Sequence, residues 1–146
     1  MKIIQKKVLI ESKTRIEFRD ITQEVADIIR ESGVRSGFVT VFAPHSTMGV
    51  RINHNEPLLI QDFIRLLYKF APVEEQYGHD MFELKKDMKS DGRSNGHSHC
   101  KSLLAGVSEV IPIDKGSMVL GPRQSIFAID FDGSRKRDVL VQVLGE

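Results

Sequence analysis

The chain has 146 residues, a size that suits one compact domain with a core of its own. Lys and Arg number 21 against 20 Asp and Glu, so the net charge is +1 and a surface built as a whole to bind nucleic acid is excluded. The hydrophobic fraction is 40% and the charged fraction 28%, which excludes wholesale disorder. A single cysteine, Cys100, rules out an internal disulfide and points to a reducing compartment, the cytoplasm. Neither a signal peptide nor an apolar run long enough to span a membrane is expected.

Residues 2–19 read as two strands, separated by a turn at Glu11-Ser12-Lys13, with Thr14 to Arg19 alternating polar and apolar. Asp20 is placed to cap a first helix, with Gln23 as its partner three residues on. Ile21, Val25, Ile28 and Ile29 form that helix's apolar face, and Gly33 stops it. Gly37 to Ala43 is a β-branched and aromatic run, expected to be a strand buried on both faces. Val50 to Asn53 is a further short strand. Asn55 or Glu56 opens a second helix with Pro57 at its first position, where the missing N–H costs nothing. Leu59, Phe63, Leu66, Leu67 and Phe70 are its apolar stripe, and Ala71-Pro72 ends it.

From Glu74 to Ser98 the chain is polar, a length that marks either a functional loop or a disordered one. Met81 to Leu84 is a short turn of structure within it. A short helix over His99 to Ala105 follows, stopped by Gly106. Beyond it the chain reads as strand: Val107 to Ile113, Met118 to Leu120, then Ser125 to Phe131 and Arg137 to Leu144 joined as a hairpin through Asp132-Gly133.

All five histidines lie between His45 and His99. Three of them, His45, His79 and His99, fall at element ends or in loops. Imidazole is the commonest metal ligand, and three such ligands with an open position suit a catalytic divalent metal. The spacing matches no sequential zinc motif, so scattered loop histidines remain the alternative. Cys100 sits in an apolar-facing stretch and reads as a small buried hydrophobe. Arg51, Lys101, Arg123 and Arg135 are candidate phosphate contacts, since guanidinium forks match phosphate oxygens, and Lys136 and Arg137 are further candidates that read rather as a solvated hairpin end. Asp130 lies in an apolar strand and needs either a partner or an exposed face.

Several blocks resemble one family in order along nearly the whole chain. Phe42-Ala43-Pro44-His45-Ser46-Thr47 and Arg51-Ile52-Asn53-His54-Asn55-Glu56-Pro57 are similar to its "HTTA…INENEP" block. Tyr77-Gly78-His79-Asp80, Asn95 to Gly106, Leu120-Gly121-Pro122-Arg123-Gln124 and Phe131 to Arg137 resemble its later motifs. The resemblance is to the YjbQ-like family, also called secondary thiamine-phosphate synthase-type proteins. It implies a single α+β domain over residues 1–146, with sandwich-like antiparallel sheets and two main helices, assembled as a homotrimer. It also implies a thiamine-phosphate-synthase-like transferase that joins a pyrimidine diphosphate to a thiazole phosphate, as a secondary activity. His45, His79 and His99 would hold a divalent metal, zinc by preference. His54, His97, Glu56 and Asp130 would be acid–base or supporting groups, while Arg123, Gln124, Arg135 and Lys101 would hold a small phosphorylated molecule. A metal-dependent phosphohydrolase and a non-catalytic metal- or ligand-binding trimer are the alternatives. The sequence departs from the family pattern at Pro122, Arg123, His54 and Asp130, and the arginine in place of a tryptophan implies a changed pocket wall with a preference for an anionic ligand.

Overall fold

The computed structural model describes residues 1–81 and 92–146. Its strands are β1 (Lys2–Glu11), β2 (Glu17–Asp20), β3 (Ser36–Phe42), β4 (Met48–Asn53), β5 (Ser108–Asp114), β6 (Ser117–Met118), β7 (Ser125–Asp130) and β8 (Lys136–Gly145). Among the described residues the helices are α1 (Thr22–Ser32), α2 (Pro57–Phe70) and α3 (Gly96–Ala105), with a single 3-10 turn at Gly78–Asp80. The strands form two antiparallel sheets, one ordered β1-β8-β3-β5-β6 and the other β2-β7-β4. This is the expected α+β class in one domain, with two main helices, α1 and α2, and the shorter α3.

The central strands of both sheets are Val- and Ile-rich because they are packed face to face. Val39, Val41, Val139, Val141 and Val143 of the larger sheet share a core with Met48, Val50, Ile126 and Ala128 of the smaller. Each fully buried side chain of this size contributes about 1.5–3 kcal/mol. Val25, Ile28 and Ile29 bring α1 into the same core. The α1 stop is as read: Gly33 adopts φ 69°, the left-handed conformation glycine takes without strain. Its start differs slightly. The Asp20 carboxylate accepts from the Thr22 amide and hydroxyl, while Gln23 turns to Asp27 instead of closing a capping box. Glu56 caps α2, accepting from the amides of Leu58 and Leu59, with Pro57 at the first turn.

Three expectations need correction. The strand from Ser36 to Phe42 is buried on one face only; Phe38 and Phe42 are exposed on the other. The strands flanking Asp132-Gly133 are not a hairpin, since β7 belongs to the smaller sheet and β8 to the larger, and the chain crosses between the layers there. The third helix begins at Gly96 and not at His99, which puts His97, Ser98 and Lys101 on its buried side and leaves Cys100 exposed. Leu103 and Leu104 on that helix are exposed as well. Of the turn expected at 81–84, residues 82–84 lie outside the described residues. No helix among the described residues is long and apolar enough to cross a membrane.

Candidate functional site

The crossover between the two sheets gathers the polar side chains. Where β7 ends, Asp130 and Asp132 are both buried, and each is met by guanidinium. Arg137 bonds both oxygens of Asp130, at 3.1 and 3.3 Å, and reaches the Thr47 hydroxyl at 2.7 Å. Ser12 donates to the same carboxylate at 2.7 Å and accepts from the Arg135 amide. Asp130 is therefore neither exposed nor available for acid–base work; it closes a buried ion pair that ties β7 to β8. A buried pair of this kind is costly to break from one side.

Asp132 organises the neighbouring surface. Arg93 binds it through Nε and Nη2, at 3.0 and 2.8 Å, Arg135 Nη1 lies at 3.2 Å, and Asn95 donates at 3.0 Å. Burial alone would raise the Asp132 carboxyl, but the bonds from Arg93 and Asn95 and the charges of both arginines outweigh it and hold the pKa below the ordinary value. The Arg135 side chain remains 38% exposed, so its guanidinium is anchored on one side while the side chain still reaches solvent. Arg135 also lines a cavity of about 300 Å³, whose other walls are Glu11, Ser12, Lys13, Ser134 and Lys136. Three cations thus face that space against one carboxylate.

A hydrogen-bond chain runs from this arginine to the histidines. Asn95 donates its amide to Asp132, so its carbonyl oxygen faces His79 Nε2 at 2.9 Å, and that nitrogen must be the donor. The His79 ring meets His99 edge to face, with centroids 4.6 Å apart. Two residues before His99 on α3, buried His97 lies with Nδ1 2.8 Å from Lys101 Nζ, and the amine also donates to the Ala71 carbonyl at the end of α2. Burial, and then the Lys101 charge, push His97 down to about 4. Burial likewise lowers Lys101 to about 8. With Lys101 as the donor, His97 accepts as neutral imidazole.

The structure brings His79 and His99 together but not His45. The His45 Nε2 lies 2.9 Å from both the carbonyl and a carboxylate oxygen of Asp138, two acceptors, so it too carries a hydrogen. Two of the three expected ligand rings thus use Nε2 as an N–H donor, which leaves the lone pair on Nδ1. Among the described residues no three His, Cys, Asp or Glu side chains stand together in a way that would hold a metal ion. The expected His45–His79–His99 zinc centre is corrected on that last ground. Other expected site residues have structural duties. Glu56 is spent on the α2 cap, and His54 is half-buried beside it, its amide bonded to the Asn53 side chain. Arg123 and Gln124 are exposed in a tight turn where the Gln124 side chain accepts from the Gly121 amide. Lys101 is wholly buried and points into the protein. Of the expected phosphate contacts, Arg135 lines this crossover cavity, while Arg51 lines a separate groove beside α2. Arg93, Asn95 and Asp132 were not singled out by residue type; a carboxylate directly after an apolar strand, followed by two arginines, is the local pattern that marks them.

Fold and site together describe a two-layer α+β sandwich with a basic cavity at its sheet crossover. The comparisons give that class its family: the model of the UPF0047 protein YjbQ-like family matches residues 6–146, and the chain belongs to that family. A UPF0047 protein of Methanothermobacter thermautotrophicus is 35% identical over 146 residues, covering 100% of this chain and 95% of the relative. UPF0047 protein YugU of Bacillus subtilis is 32% identical over 141 residues, covering 96% and 98%. Among solved structures, a YbjQ-like protein of unknown function from Sulfolobus solfataricus superposes with a TM-score of 0.90 at 27% identity, covering 99% of both chains. A YjbQ/UPF0047 family protein from Clostridium acetobutylicum superposes with a TM-score of 0.84 at 34% identity, covering 95% of this chain and 99% of its own. Neither the family model nor these relatives carry a transferase assignment, and the Sulfolobus protein is described as of unknown function. The expected thiamine-phosphate-synthase-like activity is therefore corrected, together with the histidine-rich metal site that was to support it.

Proposed function

We propose that the protein binds a small phosphorylated molecule in the cavity between Lys13, Arg135 and Lys136. The observation that carries this is the anchoring of Arg135: Asp132 fixes one edge of its guanidinium while the rest of the side chain faces a 300 Å³ space that two lysines share. A fork held in place before the ligand arrives loses little freedom on binding, and guanidinium matches phosphate oxygens in pairs. The Ser134 side chain on the cavity wall adds a hydroxyl that can donate to a phosphate oxygen. The test is calorimetric titration with inorganic phosphate and pyrophosphate. Arg135→Ala should weaken binding about tenfold or more, the loss expected for one charge-assisted contact, while Arg123→Ala serves as the unaffected control. Equal affinity in wild type and Arg135→Ala would end the reading.

A second observation favours self-assembly. The registers align Ile3, Leu144, Phe38 and Pro112 across four neighbouring strands on the outer face of the larger sheet. Val110, Leu140 and Phe42 extend the same face, and Ile3, Phe38, Phe42 and Val110 are strongly exposed in the single chain. A sheet face with this many exposed apolar side chains, interrupted by Gln5, Gln142 and Thr40, is a surface for a partner. The homotrimer that the family resemblance implies covers it by closed three-fold symmetry. The exposed Cys100 has no second cysteine in the chain to pair with, which supports a place in the reducing cytoplasm.

A further inference from the structure

The other face of the smaller sheet holds a separate space. Helix α2 rests on it through Ile60 and Leu67, against Phe18, Phe127 and Ile129. Yet none of its 14 residues reaches full burial, whereas α1 and α3 each bury several. The reason is a groove of about 280 Å³ left between helix and sheet. Its floor is Phe127 and Ile129 of β7, the middle strand. Phe18 stands on β2 to one side, stacked on Phe63 of the helix at 5.9 Å and meeting Phe127 edge to face at 5.6 Å. Opposite Ile129 on β4 is Gly49, covered closely by Ala105 and Phe131; opposite Phe127 is Arg51. The groove is thus aromatic toward β2 and turns cationic and polar toward β4, where Arg51 and Asn53 line it. Arg51 Nη1 contacts Glu109 at 2.9 Å, its single ion-pair partner among the described residues, and the side chain is 57% exposed.

We propose that this groove binds a small molecule with a planar aromatic body and one carboxylate, the ring lying among Phe18, Phe63 and Phe127 and the carboxylate meeting Arg51. Mostly apolar concave walls with a few polar groups at one end are the usual build of a small-molecule site. The volume admits one or two fused rings. Charge selects an acid: the exposed guanidinium forks are the cation on the lining, and no carboxylate lines the groove. This site is independent of the phosphate cavity, which lies at the sheet crossover and shares no lining residue with it.

The chain contains no tryptophan, so the fluorescence of an indole probe reports binding without background. Titrating indole-3-acetate with the full-length protein should give a saturable blue shift, with indole itself binding more weakly. Arg51→Gln should weaken indole-3-acetate about tenfold or more and leave indole unchanged, which separates carboxylate recognition from ring burial. Phe63→Ala should weaken both probes, and its thermal transition shows whether the fold is kept; if it is not, Arg51→Gln still decides. Absence of saturable binding at millimolar probe, or equal indole-3-acetate affinity in wild type and Arg51→Gln, overturns the proposal. Binding seen only in dissociated copies would assign the groove to a second copy of the chain and overturn it as well.

Discussion

Replacing His97 with glutamine should remove a specific portion of the acid sensitivity of this fold. His97 is 3% exposed and accepts from the Lys101 amine. Its folded pKa is pushed down to about 4 from an ordinary 6.5. Between those values the unfolded chain takes up a proton that the folded chain refuses. Stability is therefore complete above pH 6.5 and falls as pH drops toward 4, by about 1.4 kcal/mol per pH unit and roughly 3 kcal/mol across the window. That is a large share of the 5–15 kcal/mol typical of a domain. Lys101, lowered only to about 8, stays charged throughout this window and adds no slope there. Asp20, Asp132 and Asp138, all held below the ordinary 3.8, lose their contributions mainly at still lower pH. Urea midpoints at pH 7, 6, 5 and 4.5, at one fixed protein concentration, measure the effect. His97→Gln lowers the pH 7 value by disturbing the Lys101 bond, but its decline from pH 6.5 to 4.5 should be much shallower than that of the wild type. Parallel declines in the two proteins would refute the reasoning.

Asp132→Asn removes the charge that holds two guanidiniums; because both arginines are partly exposed, the loss should be about 1–2 kcal/mol, read from thermal denaturation, with phosphate affinity falling as Arg135 loosens. Phe38→Glu places a charge in the middle of the apolar sheet face and should shift the sedimentation profile toward monomer without changing the circular dichroism spectrum; a wild type already monomeric at micromolar concentration would contradict the assembly. Gly37→Ala should destabilise by about 3 kcal/mol or more, because the new Cβ would overlap the Leu144 carbonyl of the paired strand, and a melting temperature within a degree or two of wild type would contradict that packing.

The regular elements were legible where local chemistry sets them. Pro57 behind Glu56 started α2, Gly33 stopped α1, and the apolar run before Leu144 read as the strand that β8 is. What the sequence left open were decisions made between layers. Nothing local to Asp132-Gly133 distinguishes a turn that pairs two strands from one that passes the chain to the other sheet. The start of α3 was read too late because Asn95 to Ser98 is polar, and its burial depends on Asp132 and the Phe131 carbonyl across the fold. That same offset explains Cys100, which faces solvent once the helix begins at Gly96. Site legibility followed a similar division. Arg135 was recognised as a phosphate contact by its residue type, whereas the anchoring of Arg135 by Asp132, and of Asp132 by Arg93 and Asn95, spans 37 to 39 positions for its longer links. His45, His79 and His99 look alike in sequence; their hydrogen-bond partners, Asp138 for one and Asn95 for another, are what separate them.

A crystal of the protein soaked in inorganic phosphate tests the central claim most directly. The account predicts tetrahedral density in the cavity at the sheet crossover, within hydrogen-bond distance of the Arg135 guanidinium and of the Lys13 or Lys136 amine, and no such density in Arg135→Ala crystals treated alike. Phosphate bound elsewhere with that cavity holding only water, or density that persists unchanged without Arg135, would contradict it.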